Sequence, residues 1–111
     1  MRIQLGDTVI AETWRPLPLF ETGLPTYYYI PHGDVRMDLM EPSDHVTQCA
    51  YKGQASHRTA KIGDDVYKHV AWTYHEPLAL VAPIAGFVSF YNEKVTALYD
   101  GGELVTKPKT P

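Results

Sequence analysis

Proline and glycine interrupt this sequence along its whole length. Nine prolines and eight glycines occur in 111 residues, which is one about every seven residues. These two residue types are the strongest local markers of turns and loops. The stretches between them are rich in Tyr, Val, Thr and Ile, which favour strands. The pattern therefore predicts a mainly β fold made of short strands.

Three segments have the pattern of β-hairpins, in which strand-forming residues flank a short turn. A further strand, in the sequence TYYYIP, ends at Pro31 because proline cannot donate to a strand ladder. The predicted hairpins are residues 2–14 turning at Gly6-Asp7, residues 53–74 turning near Gly63-Asp64, and residues 86–102 turning at Asn92-Glu93.

Two other segments predict short helical turns. Residues 33–40 are expected to form one turn with Asp34 as its cap. Residues 76–86 are expected to form two turns with Pro77 at the first helical position. We expect residues 1–105 to form a single domain and residues 106–111 a disordered tail.

The two halves of the sequence show a faint likeness at an offset of about 60 residues. Gly6-Asp7 matches Gly63-Asp64, and Val9 matches Val66. Two related β halves packed face to face would meet at a natural place for a pocket. Alternatively, any two hairpins built on a glycine-aspartate turn would show the same likeness.

The charge composition argues against a nucleic-acid-binding protein, because the net charge is −3 and no basic run occurs. The single cysteine cannot form an intramolecular disulfide, and the first residues show no apolar export segment. We therefore expect a reducing, cytoplasmic location. The longest apolar run, residues 78–88, is broken by Pro83 and Gly86 and falls short of the ~20 residues that a membrane span needs.

Cys49 is the first candidate for chemistry. A nearby ammonium from Lys52 would lower the thiol pKa and favour the nucleophilic thiolate. In a strand, however, side chains alternate between faces, so Cys49 and Lys52 are expected to lie on opposite faces. The alternative to a nucleophile is a small buried apolar side chain.

Histidines and carboxylates give weaker patterns. His45, His57 and His69 are spaced by twelve residues, and the last two would approach each other across the hairpin that turns at Gly63. No standard ligand, nucleotide-loop or nucleophile-elbow motif occurs, so no metal or cofactor is predicted. The acidic residues between 34 and 44 form either a polar site wall or a solvated loop whose side chains bond backbone amides.

Aromatic residues are concentrated on the predicted strands. Val70, Trp72 and Tyr74 alternate onto one face of their strand. Most such residues belong to a core, and a minority line a ligand cleft, where each tyrosine supplies a hydroxyl group.

Four stretches of the sequence, in order, resemble the domain-of-unknown-function 427 family. The family pattern joins YYIP…DV, S…T.CPYKG.A, W.Y..P and I.G…FY…V, and here these are residues 28–35, 43–55, 72–77 and 84–95. The chain departs from the pattern at Ala50, where the family has proline, and at His57, where an aromatic residue is common.

The resemblance implies a small β-tent domain, in which two antiparallel β-sheets pack at an angle. Tent-like folds elsewhere often hold zinc through paired CxxC motifs, which this one-cysteine chain lacks. A nucleotidyltransferase label attached to the family has no counterpart here, because neither paired metal carboxylates nor a Gly-Ser nucleotide loop is found.

We therefore predict a small-molecule-binding domain with a cleft between two sheets. One alternative is an enzyme that uses Cys49 as nucleophile or redox residue, and another is a structural homodimer formed through exposed tyrosines and edge strands. The candidate ligand-binding residues are Asp34, Ser43, Thr47, Lys52, Trp72 and Tyr74.

Overall fold

The described part of the chain contains ten antiparallel strands and no helix of more than six residues. The computed structural model describes residues 1–20, 23, 25–49 and 52–105, with only the backbone at Leu80. The strands are β1 Arg2–Leu5, β2 Thr8–Glu12, β3 Leu17–Leu19, β4 Tyr27–Ile30, β5 Met40–Cys49, β6 Gly53–Ile62, β7 Asp65–Thr73, β8 Val88–Phe90, β9 Ala97–Asp100 and β10 Glu103–Leu104.

The strands form two sheets. The small sheet has the order β10-β9-β1-β2, and the large sheet has the order β3-β4-β8-β7-β6-β5. The predicted fold class, mainly β with two antiparallel sheets, is confirmed. Among the described residues no helix is long and apolar enough to cross a membrane.

The predictions that rest on local turn chemistry are confirmed. Strands β1 and β2 form the first hairpin and β6 and β7 the second. Gly6 and Gly63 each adopt φ of 59°, a left-handed conformation that glycine reaches without strain. Strand β4 ends at Ile30, directly before Pro31.

The third predicted hairpin is wrong. Strand β8 pairs with β4 and β7 in the large sheet, whereas β9 pairs with β1 in the small sheet. After β8 the chain turns at Tyr91, and the Thr96 amide then donates to the Gln4 carbonyl at 3.0 Å. The segment therefore crosses between the sheets instead of folding back on itself.

Short helical turns form in both predicted segments, but the predicted cap and the predicted first helical residue are wrong. A 3-10 helix spans His32–Asp34 without a side-chain cap, and the carboxylate of Asp34 instead accepts a hydrogen bond from Thr13 Oγ1 at 2.7 Å. A second spans Met37–Leu39. A third spans Ala79–Ile84 and starts two residues after Pro77. The predicted tail, residues 106–111, lies outside the described residues.

The large sheet is covered on both faces near its centre. One face packs against the small sheet, and this core includes Ile10, Ile30, Val88 and Phe90. The other face carries a second buried cluster made of Tyr29, Ala55, Trp72, Tyr74 and Ile84. Strand alternation separates the two sets, because successive side chains point to opposite faces.

We expect Ile30→Ala to lower the free energy of unfolding by about 2–5 kcal/mol, because the truncation leaves a cavity between the sheets. Ile30 is fully buried. Urea unfolding followed by circular dichroism measures the change. The matched control is Val66→Ala on an exposed side chain, for which we expect a change within about 0.5 kcal/mol. Equal effects of the two substitutions would contradict this placement of the core.

Candidate functional site

A small cavity lies on the face of the large sheet that points away from the small sheet. Its volume is about 190 Å³. We call it the aromatic cavity, because five of its ten described lining residues are Tyr or Trp. They are Tyr27, Tyr29, Thr47, Cys49, Lys52, Ala55, His57, Trp72, Tyr74 and Tyr91.

Strand register brings these residues together from distant parts of the chain. Thr47 of β5 lies opposite Ala55 of β6, and His57 of β6 lies opposite Trp72 of β7. The row of paired residues continues from Trp72 of β7 across β8 to Tyr29 of β4. The cavity floor is therefore a single face of one antiparallel sheet.

Three tyrosine rings pack around Trp72. Tyr27 and Tyr29 meet it edge to face, with ring centroids 5.0 and 6.3 Å away, and Tyr91 lies tilted at 46° with its centroid 4.4 Å away. Trp72 Nε1 donates a hydrogen bond to the Tyr29 hydroxyl at 3.3 Å. Edge-to-face contact is a favoured geometry of aromatic pairs.

Cys49 and Lys52 line the same cavity, so the expectation that they lie on opposite faces is wrong. Strand β5 ends at Cys49, which pairs with Gly53 across the hairpin. Lys52 therefore belongs to the turn, where strand alternation no longer applies. Ala50, where the chain departs from the family's proline, lies outside the described residues.

Five of the seven residues predicted for the site line the aromatic cavity, and two do not. Thr47, Cys49, Lys52, Trp72 and Tyr74 are gathered there. Asp34 lies beside β2, where it bonds Thr13. Ser43 lies on β5 outside the cavity, and its Oγ is 2.9 Å from Thr59 Oγ1. The residues near Ser43 therefore form a strand edge, not the solvated loop that was one of the expectations.

His57 is the cavity residue that motif searching did not select. It is 1% exposed, and its Nε2 lies 2.9 Å from the hydroxyl of Tyr91. The two rings stack at 5.9 Å with an angle of 17° between planes. The family commonly has an aromatic residue at this position. The departure of this chain from the family pattern was the sequence signal that pointed to His57.

Three histidines from adjacent strands meet beside the cavity, and we call them the histidine cluster. The ring centroid of His45 on β5 lies 4.5 Å from that of His57 on β6 and 5.0 Å from that of His69 on β7. His69 has φ of 51°, a strained value for a residue with a side chain. The Nδ1 atoms of His57 and His69 are buried without a hydrogen-bond partner of good geometry in the described structure.

The described part of the chain contains no group of three or more His, Cys, Asp or Glu side chains placed to hold a metal ion. Burial lowers the pKa of His57 below 6.5, and charges on His45, His69 and Lys94 lower it further, whereas the His45 backbone opposes them. Burial and the charge of Glu93 raise the pKa values of Tyr27 and Tyr91 above 10.0, so both hydroxyls stay protonated at neutral pH.

A larger depression lies along the outer strands of the large sheet, with a volume of about 780 Å³. It is an open groove that includes Glu41, Asp44, Lys61 and Lys68. Side chains there are mostly exposed, and Lys61 pairs with Glu41 at 3.1 Å. The aromatic cavity is the stronger candidate, because small-molecule sites are mainly apolar with a few convergent polar groups.

The family model described as Domain of unknown function (DUF427) matches residues 1–101. The chain belongs to the DUF427 family. No curated protein matches the sequence. The four stretches that carry the DUF427 pattern contribute Tyr29, Thr47, Trp72 and Tyr91, among others, to the aromatic cavity.

We expect the stability of this DUF427 domain to decrease as pH falls below about 6.5. The native pKa of His57 is depressed from 6.5, so in that range the unfolded chain takes up a proton that the native protein does not. Above pH 6.5 the His57 imidazole is neutral in both the native and the unfolded protein. The contribution of the buried neutral imidazole to stability is then fully present. The slope is at most about 1.4 kcal/mol per pH unit for one proton.

Urea unfolding between pH 5.5 and 8 measures this slope. His57→Gln should flatten it, whereas His75→Gln, a change at an exposed histidine, should leave it unchanged. An unchanged slope in His57→Gln would contradict the assignment.

Proposed function

We propose that the chain binds a small ring-bearing molecule in the aromatic cavity. The observation that carries the proposal is the gathering of four tyrosines, Trp72 and His57 around one small space. Drug-sized ligands occupy sites of ~300–1,000 Å³, and the cavity measures about 190 Å³. Its size therefore favours a ligand with a single ring.

The side chains that line the cavity limit the chemical class of the ligand further. Tyrosine rings offer edges and faces for a planar group, and their protonated hydroxyls donate hydrogen bonds. The described lining residues include the ammonium of Lys52 and no carboxylate. A neutral or anionic ring therefore fits the cavity better than a cation does.

Titration by NMR tests the proposal with three probes: phenol, benzoate and tetramethylammonium. We expect phenol or benzoate to shift the indole N–H signal of Trp72 in a saturable way. Trp14 is an internal control, because its side chain is 94% exposed and lies outside the cavity. Saturable binding of tetramethylammonium alone would indicate an aromatic cation site, and no saturable shift with any probe would contradict the proposal.

Filling the cavity should abolish binding. We expect Thr47→Phe to weaken the affinity for the bound probe by about tenfold or more, because residue 47 faces the cavity from β5. Gln48→Phe is the matched control, since Gln48 is the next residue of the same strand and points to the other face. Equal affinities of the two variants would place the probe elsewhere.

A second candidate function is an enzyme in which Cys49 is the nucleophile. The observation that favours it is the presence of the thiol and Lys52 in one cavity. A thiolate is the reactive form, and a nearby ammonium favours it. The aromatic cavity would then bind the substrate ring beside the sulfur atom.

Alkylation with iodoacetamide tests both ideas, because Cys49 is the chain's single thiol. We expect saturating phenol to slow alkylation severalfold, since the probe and the reagent compete for one cavity. An apparent thiol pKa at or above about 8.5 would remove support for the nucleophile. Denatured protein gives the reference rate.

A further inference from the structure

Strand β5 forms one wall of the aromatic cavity and is one of the two edge strands of the large sheet. Its only strand neighbour in the described sheet is β6. Thr47 and Cys49 supply the cavity wall, and most of the strand's other side chains are exposed. An edge strand with so little burial belongs to the elements that open readily by local unfolding.

The ladder between β5 and β6 is broken beside the histidine cluster. Pro42 pairs with Arg58, and the next pair is Val46 with Ser56. Three residues of β5, numbers 43–45, therefore lie opposite His57 alone. At this break the packing of His45 against His57 and His69 takes the place of regular pairing.

Charge repulsion within the cluster follows from the spacing of its three rings. Their centroids lie between 4.5 and 6.4 Å apart, so a positive charge on one ring repels a positive charge on another. His45 is exposed and follows Asp44 in the chain.

Other titratable groups surround the cluster. Lys94 lies near both inner histidines, since its Nζ donates to the His69 carbonyl at 3.3 Å and its charge acts on His57. Tyr91 faces His57 as a neutral hydroxyl. In the adjoining groove, Lys61 pairs with Glu41 at 3.1 Å, and the exposed Asp44 and Lys68 add one charge of each sign.

We propose that the histidine cluster is an acid-sensitive latch on the aromatic cavity. Neutral imidazoles pack β5 against β6 and β7 and hold the wall closed. When two of the three rings are protonated, their repulsion releases residues 46–49 of β5, and the cavity opens along that side. Release of a ligand by acid rests on the binding function proposed above, whereas the opening of the strand does not.

Amide hydrogen exchange resolved by NMR tests the latch between pH 7.5 and 5.5. We expect the protection factors of residues 46–49, corrected for the intrinsic effect of pH, to fall about tenfold per pH unit for each linked proton. The β1–β2 hairpin, which lies in the other sheet, should lose no more protection than the fall in the free energy of unfolding measured with urea explains. An equal loss in residues 46–49 and in this hairpin would indicate global acid unfolding and overturn the proposal.

Variants separate the latch from ordinary strand fraying. His45→Gln and His69→Asn should each remove most of the pH response of β5, and asparagine tolerates the positive φ at position 69. His75→Gln, an exposed histidine outside the cluster, is the control and should respond like the wild type. A full pH response retained in both cluster variants would overturn the proposal.

Two further outcomes are informative. Addition of Zn²⁺ at one equivalent should not change the protection of β5. If Zn²⁺ instead suppressed the pH response, the cluster would be a metal site and the latch would be wrong. If β5 opens with acid while phenol and benzoate fail to bind, the latch stands and the binding function proposed above falls.

Discussion

Burial of the large sheet on both faces is the constraint on which the rest of the structure depends. Strand alternation sends Tyr28 and Ile30 into the core between the sheets, while Tyr27 and Tyr29 point to the aromatic cavity. Because the side-chain period of a strand is two, a slip of one residue would exchange the two sets. The register that closes the core is therefore the same register that builds the cavity.

The outer strands of the large sheet depart from this regular ladder, and the departures lie where the chemistry is densest. Breaks in the β5–β6 and β6–β7 pairings lie beside His57. Such bulges are frequent next to functional sites, where they change the direction of a side chain. Here they bring three imidazoles into contact and leave one of them, His57, as part of the cavity lining.

Local features of the fold were predictable from the residues, and long-range pairings were not. The turns at Gly6 and Gly63 and the strand end before Pro31 depend on backbone chemistry within a few residues. Strands β8 and β9 look like a hairpin locally, but β8 pairs with β7 and with the distant β4, and β9 pairs with β1, more than 90 residues away in the chain. Burial in two different sheets outweighs the local turn signal.

The residues of the candidate site also fall into two groups, those that the sequence indicated and those that it did not. Trp72 and Tyr74 could be chosen from alternation, although Val70, expected on the same face, lies in the core between the sheets. Thr47, Cys49 and Lys52 could be chosen from the family pattern, and the departure from that pattern marked His57. Tyr27, Tyr29 and Tyr91 were not chosen, because an aromatic residue on a strand belongs more often to a core than to a site. The equal spacing of His45, His57 and His69 acquires meaning only once β5, β6 and β7 lie side by side.

By itself, the sequence determined the mainly β class, the places of the sharpest turns, the aromatic content and membership of the DUF427 family. Those properties arise from residue composition and from backbone preferences that act over a few residues. The tertiary structure alone decided which face each strand buries, that Cys49 and Lys52 share a cavity, and that three histidines meet. Those outcomes depend on pairing between strands far apart in the chain, where burial of apolar surface outweighs local preference.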